Sequence, residues 1–201
     1  FYDRFGNSVA SLGDLDGDGV TDLAVGAYVD STQGYARGAV HVLLLNSNGT
    51  VKSSVKIASG MNGGPALANI DLFGGSVVSL GDLDGDGVTD LAVGAVNDDT
   101  GGNARGAVHV LLLNSNGTVK NNVKIASSTN GGPTLKDGDY FGTSVVSVGD
   151  LDGDGVTDLA VGATGDDTGG DRRGALHLLL LNSNGTVKSN SKLANSTNGG
   201  P

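Results

Sequence analysis

The chain has 201 residues and a formal charge of −10; 36 residues are glycine and 22 are aspartate, with no glutamate, cysteine or tryptophan. Glycine and aspartate are poor in helix interiors, which argues against a helical protein. The acidic balance argues against nucleic acid or anionic membrane as partner, since both need clustered Lys and Arg, and no apolar run approaches the roughly 20 residues of a membrane span.

Hydrophobic residues, at 37%, still suffice for a core. In chain order, residues 8–13 predict a first short strand, and Asp14–Asp22 an Asp- and Gly-rich loop. Asp22–Tyr28 predicts a second strand, 29–37 a connection, and 38–46 a third strand. The turn Ser47-Asn48-Gly49-Thr50 follows, its Asn-Gly pair a strong hairpin signal, and then a fourth strand over 51–58.

The pattern recurs with a period of 68. LGDLDGDGVTDLAVGA at 12–27 returns at 80–95, and with Val for Leu at its start at 148–163. Phe5, Phe73 and Phe141 share that spacing, as do Pro65, Pro133 and Pro201. Residues 1–65 and 69–133 agree at 51 of 65 positions. The units are 1–65, 66–133 and 134–201, each with four antiparallel strands. On the third strand Val40, Val42 and Leu44 alternate with Ala39, His41, Leu43 and Leu45, so both faces are largely apolar. A sheet apolar on both faces needs a neighbouring sheet on each, which predicts an all-β protein of stacked β-propeller blades. A β-solenoid has shorter rungs. The chain opens without Met or a signal peptide, as a mature or excised piece would.

The chemically specific element is the loop Asp14-x-Asp16-x-Asp18-Gly19-Val20-x-Asp22, repeated at Asp82, Asp84, Asp86, Val88 and Asp90, and at Asp150, Asp152, Asp154, Val156 and Asp158. Carboxylates at loop positions one, three, five and nine, with a backbone carbonyl at seven, suit a hard cation. Calcium fits many oxygens at flexible geometry better than magnesium does. Two carboxylates ~4 Å apart repel by ~4 kcal/mol at an effective dielectric of ~20. Three divalent ions would cancel six of the ten formal negative charges. An EF-hand is excluded, because the twelfth position, which needs a bidentate Glu, is Val25, Val93 or Val161, and the flanks read as strands.

Phe5-Gly6, the Asp loop and Gly26-Ala27 together resemble an FG-GAP repeat, the blade unit of the integrin α-subunit propeller. The resemblance covers all three units. It implies a four-stranded blade with its calcium loop between the first two strands, and a role in adhesion or extracellular scaffolding. The third letter of GAP is Tyr28, Val96 or Thr164 here. Near-identity of the copies fits a prokaryotic surface or secreted protein whose repeats were duplicated recently.

Other recurrent residues have plainer readings. His41, His109 and His177 lack convergent partners and read as stacked histidines on a blade face. Asn48, Asn116, Asn184 and Asn195 open glycosylation sequons, although Asn-Gly also serves the turn. The variable connection 29–37 reads equally as a solvent-facing connection for partner contacts or as a tolerant loop; a protein or glycan ligand is among the partners open to the chain. Lys52, Lys56, Lys120, Lys124, Lys188 and Lys192 read as charges that protect an edge strand. Catalysis needs unlike groups converging, and each unit carries the same ones, so the expectation is no enzyme. The alternative is the non-catalytic propeller portion of a secreted hydrolase or lyase. Three blades leave two apolar faces uncovered, as in part of a larger propeller or assembly. Two chains close a ring, further repeats of a longer chain complete it, or units stack as an open array; the expectation is self-association, as a ring ahead of a filament.

Overall fold

A computed structural model describes residues 2–200; Phe1 and Pro201 lie outside the described residues. Twelve strands form three sheets of four among these residues, with no helix. The first sheet comprises β1 (Val9–Gly13), β2 (Asp22–Ala27), β3 (Ala39–Leu45) and β4 (Val51–Ala58). The second comprises β5 (Phe73–Gly81), β6 (Asp90–Ala95), β7 (Ala107–Leu113) and β8 (Val119–Ile125). The third comprises β9 (Phe141–Gly149), β10 (Asp158–Ala163), β11 (Ala175–Leu181) and β12 (Val187–Ala194). Every sheet is an antiparallel meander in chain order. The predicted strand order holds in all three units, and the sheets stack as propeller blades.

Alternation within each strand assigns the faces. Val40, Val42 and Leu44 of the first blade enter a core completed by Leu91, Val93, Leu111 and Leu113 of the second. Val108, Val110 and Leu112, their images in the second blade, meet Leu159, Val161, Leu179 and Leu181 of the third. First strands neighbour one another from blade to blade, β1 with β5 and β5 with β9, as at a propeller axis.

Backbone atoms set the distance between blades. Gly26 accepts an N–H bond from Gly6 in its own repeat (3.0 Å), and on its other side faces the Gly74 carbonyl of the next blade, which a methyl group on Gly26 would strike. Ser8 Oγ donates to that same carbonyl (2.9 Å). Gly94 and Ser76 repeat the arrangement against Gly142. Phe73 follows, its N–H donating to the Arg37 carbonyl (3.0 Å) and its ring fully buried.

The connection 29–37 is therefore not simply a tolerant solvent loop. Asp30 and Ala36 within it are buried, and Arg37 offers its carbonyl to the next blade; only Thr32, Gln33 and Tyr35 are exposed.

The two end faces differ from the inner ones. Phe5 is 56% exposed, whereas its images Phe73 and Phe141 are at 0%. At the other end Leu151 is 54% exposed, against 4% for Leu83. The first blade thus presents the face that elsewhere receives a preceding blade, and the third presents the face that receives a following one.

The recurrent histidines stack as expected. His109 lies edge-on to Phe73 (5.5 Å between centroids) and His177 edge-on to Phe141 (5.5 Å). Neither ring nitrogen of either histidine has a hydrogen-bond partner, and burial pushes His109 down to about 3 and His177 to about 4. An unfolded chain takes up these protons near pH 6.5 and the folded one does not, so the two histidines' contribution to stability falls as pH drops below about 6.5. For His109 this costs ~1.4 kcal/mol per pH unit, or ~2 kcal/mol at pH 5. Urea unfolding of wild type and His109→Leu at pH 7 and pH 5 checks this: the variant loses less stability on acidification, and equal losses refute a buried neutral imidazole.

Candidate metal centre

The loop between first and second strands is shaped by its own aspartates. Asp22 opens β2 and is fully buried; its Oδ2 accepts the Leu15 N–H (3.0 Å) and its Oδ1 the Leu45 N–H (2.9 Å) from the end of β3. Asp90 binds Leu83 (3.0 Å) and Leu113 (2.9 Å), and Asp158 binds Leu151 and Leu181 (both 2.9 Å). Burial pushes the Asp90 carboxyl up to about 6, against the pull of its two backbone donors.

At the loop's start, Asp14 Oδ1 accepts the Asp18 N–H (2.9 Å) and Oδ2 the Gly19 N–H (2.8 Å). Asp82 and Asp150 do the same for their repeats, with an added bond from Gly85 or Gly153. Asp18 Oδ1 accepts the Val20 N–H (2.9 Å), as Asp86 and Asp154 do from Val88 and Val156. Gly19 stands at φ 86°, where a side chain would be strained, and this turn folds the chain back toward Asp14. Val88 and Val156 pack their side chains against the interblade cores, which anchors the loop at its seventh position.

These bonds bring carboxylates together. Asp14, Asp16 and Asp22 place oxygens within 4.8 Å of one another, as do Asp82, Asp84 and Asp86, and Asp150, Asp152 and Asp158. The fourth predicted aspartate of each loop (Asp18, Asp90 or Asp154) falls outside that grouping, although it belongs to the same loop. The position-nine aspartates carry a duty that spacing did not suggest, since each of their oxygens accepts one backbone N–H and keeps a second lone pair.

The donor set is all oxygen. Asp16 Oδ1 and Asp84 Oδ1 are buried and have no hydrogen-bond partner, which leaves an acceptor oxygen unsatisfied inside an anionic cluster. Both features fit a hard divalent cation. The fourth-strand lysines also reach this region. Lys52 Nζ lies 2.6 Å from Asp16 Oδ2 and also pairs with Asp18. Lys120 and Lys188 take the equivalent positions. Hydrogen bonds from these lysines, with the loop amides, hold Asp18, Asp86 and Asp154 below the usual carboxylate range. Lys56, Lys124 and Lys192 pair instead with buried Asp30, Asp98 and Asp166. All six lysines therefore have specific partners, where residue pattern alone suggested edge protection.

The FG-GAP repeat matches residues 5–43, 73–111 and 141–179. The chain is 36% identical over 167 residues to human integrin alpha-11, an alignment covering 80% of this chain and 12% of that protein. It is 36% identical over 170 residues to Xenopus laevis integrin alpha-5 (82% and 15%), and 35% identical over 166 residues to Drosophila melanogaster integrin alpha-PS5 (80% and 15%). The chain thus spans between a tenth and a sixth of the length of these relatives. Each matched segment runs from the Phe-Gly pair at a blade edge, through the aspartate loop, to the third strand. The protein belongs to the FG-GAP repeat family.

Proposed function

We propose that the chain is a calcium-stabilised repeat protein of the cell exterior, acting in adhesion or as a scaffold and without catalytic activity. Its working units are 1–65, 66–133 and 134–201, with one calcium ion in each. The ligands are Asp14, Asp16, Asp18, the Val20 carbonyl and Asp22, then Asp82, Asp84, Asp86, Val88 and Asp90, then Asp150, Asp152, Asp154, Val156 and Asp158. The carrying observation is the oxygen-only cluster present in every repeat, with Asp16 Oδ1 and Asp84 Oδ1 buried and unpartnered. Extracellular calcium modules bind at ~10⁻⁴–10⁻³ M, a range that suits the cell exterior. Similarity to integrin alpha chains supports adhesion through a protein ligand. A non-enzymatic role is supported by the uniformity of the repeats, whose aspartates serve loops and backbone while the buried histidines face phenylalanine rings.

The end faces support self-association. Behind the third blade lies a groove of about 670 Å³ lined by Gly162, Ala163, Gly174, Ala175, Leu176 and Ala194. Gly26, Gly38 and Ala39 are the images of three of these residues, and they receive Phe73-Gly74 in the first interface. Exposed Phe5-Gly6 of a second copy has the matching shape, and two copies joined twice in this way close a six-bladed ring.

Thermal unfolding tests the metal. At calcium tenfold above Kd each site adds about 1.4 kcal/mol, so the melting temperature rises in calcium and falls in EDTA. Asp84→Asn removes the middle repeat's share of the rise, and in EDTA it costs only what its ion pair with Lys120 contributes. Asp90→Asn costs about 1–3 kcal/mol in EDTA as well, because an amide cannot accept both backbone N–H groups. A curve indifferent to EDTA, with no calcium by elemental analysis, overturns the calcium reading.

Mass measurement at micromolar concentration in calcium tests association. Wild type exceeds the 19.8 kDa of one chain. Gly162→Ala, whose methyl group would press within its own chain on the Ser144 hydroxyl, blocks the groove and returns the monomer. A stable wild-type monomer overturns the association.

A further inference from the structure

Each repeat carries a lysine that is distant from the metal loop in sequence and seated on it in space. Lys52 lies 34 residues beyond Asp18, at the second position of β4, yet its ammonium bridges Asp16 Oδ2 (2.6 Å) and Asp18 Oδ2. Lys120 bridges Asp84 (2.7 Å) and Asp86, and Lys188 bridges Asp152 (2.6 Å) and Asp154. The contact does not follow merely from a basic strand lying near an acidic loop. Four residues further along the same strands, Lys56, Lys124 and Lys192 turn to buried aspartates of the next connection.

We infer that Lys52, Lys120 and Lys188 are resident cations of the loops, which hold the carboxylates together without metal and are displaced when calcium binds. The inference rests on the calcium reading above. An ammonium and a divalent ion attracted to the same two carboxylates repel each other over a few ångströms. Each lysine therefore lowers the calcium affinity of its own loop while stabilising that loop in the metal-free state. Exchange of one cation for the other leaves the loop closed in both states. What changes is the β4-type strand, which loses its tether to the loop on calcium binding. Site occupancy is thereby transmitted to the hairpin at the far edge of each blade.

Calorimetric titration of calcium into wild type, the triple variant Lys52→Met/Lys120→Met/Lys188→Met, and the corresponding triple Arg variant tests the displacement. Removing the charge makes calcium binding about tenfold tighter, while the Arg variant stays within about twofold of wild type. In EDTA the Met variant melts below wild type. Amine-selective acylation read by mass spectrometry adds a measurement on wild type alone. Calcium raises the labelling of Lys52, Lys120 and Lys188 several-fold and leaves Lys56, Lys124 and Lys192 unchanged. Unchanged or weaker binding in a folded Met variant overturns the inference while leaving calcium in place. Labelling that stays constant or falls with calcium overturns it too, even if the variant does not fold. Absence of any calcium heat in wild type overturns the calcium reading and the inference together.

Discussion

The buried carboxylate that opens each second strand is the constraint on which the rest of the structure depends. Asp22 accepts one backbone N–H from the loop behind it and one from the end of β3. A fully buried anion without partners would be costly, and two well-directed donors at about 3 Å offset that cost. The two bonds also fix the loop's exit against the third strand. The first three strands of a blade are thereby tied at one end, and the short loop has to turn back on itself with its remaining aspartates gathered. Sheet register and the acidic cluster share one cause. Asp90 and Asp158 repeat it without change.

A second constraint operates between blades. Side chains fill the cores, but the spacing is decided where Gly26 meets the Gly74 carbonyl. Close approach of main chains explains why the second strand carries glycine at a position where strands otherwise favour bulk. It also explains why the Phe-Gly pair of one repeat is recognised by its predecessor. Phe73 is seated by its own amide on the Arg37 carbonyl as well as by its ring. Gln33 and Tyr35 have exposed side chains, and Tyr35 reaches the next repeat only through its carbonyl, so both can change while Arg37 and Gly38 hold the next blade.

Much of this was legible in the residues. Period-two alternation over 39–45 gave the faces, Asn48-Gly49 the hairpin, and the 68-residue interval the number of sheets. The aspartate loop was legible as an oxygen-rich turn, because its donors lie within nine consecutive positions. The partners of Lys52 were not, since they depend on how far the loop folds over the sheet and on a contact 34 residues distant. The backbone duty of Asp22 was hidden for a similar reason: Leu45 lies 23 residues on, and local spacing carries no information about which amide a carboxylate will meet. Burial within 29–37 was also missed, because a run of small and polar residues looks the same whether it faces solvent or caps a neighbouring sheet.

The interblade contact is made by main-chain atoms and by side chains that recur at a fixed interval, so both sides of every junction are present in each unit. Lengthening or shortening such an array by whole units requires no compensating substitutions, because any unit already carries the surface its new neighbour needs. Gain or loss of a whole unit would then yield a folded open array of different length in a single step. Blade number in this architecture is accordingly a heritable variable that can change without passing through a misfolded intermediate sequence.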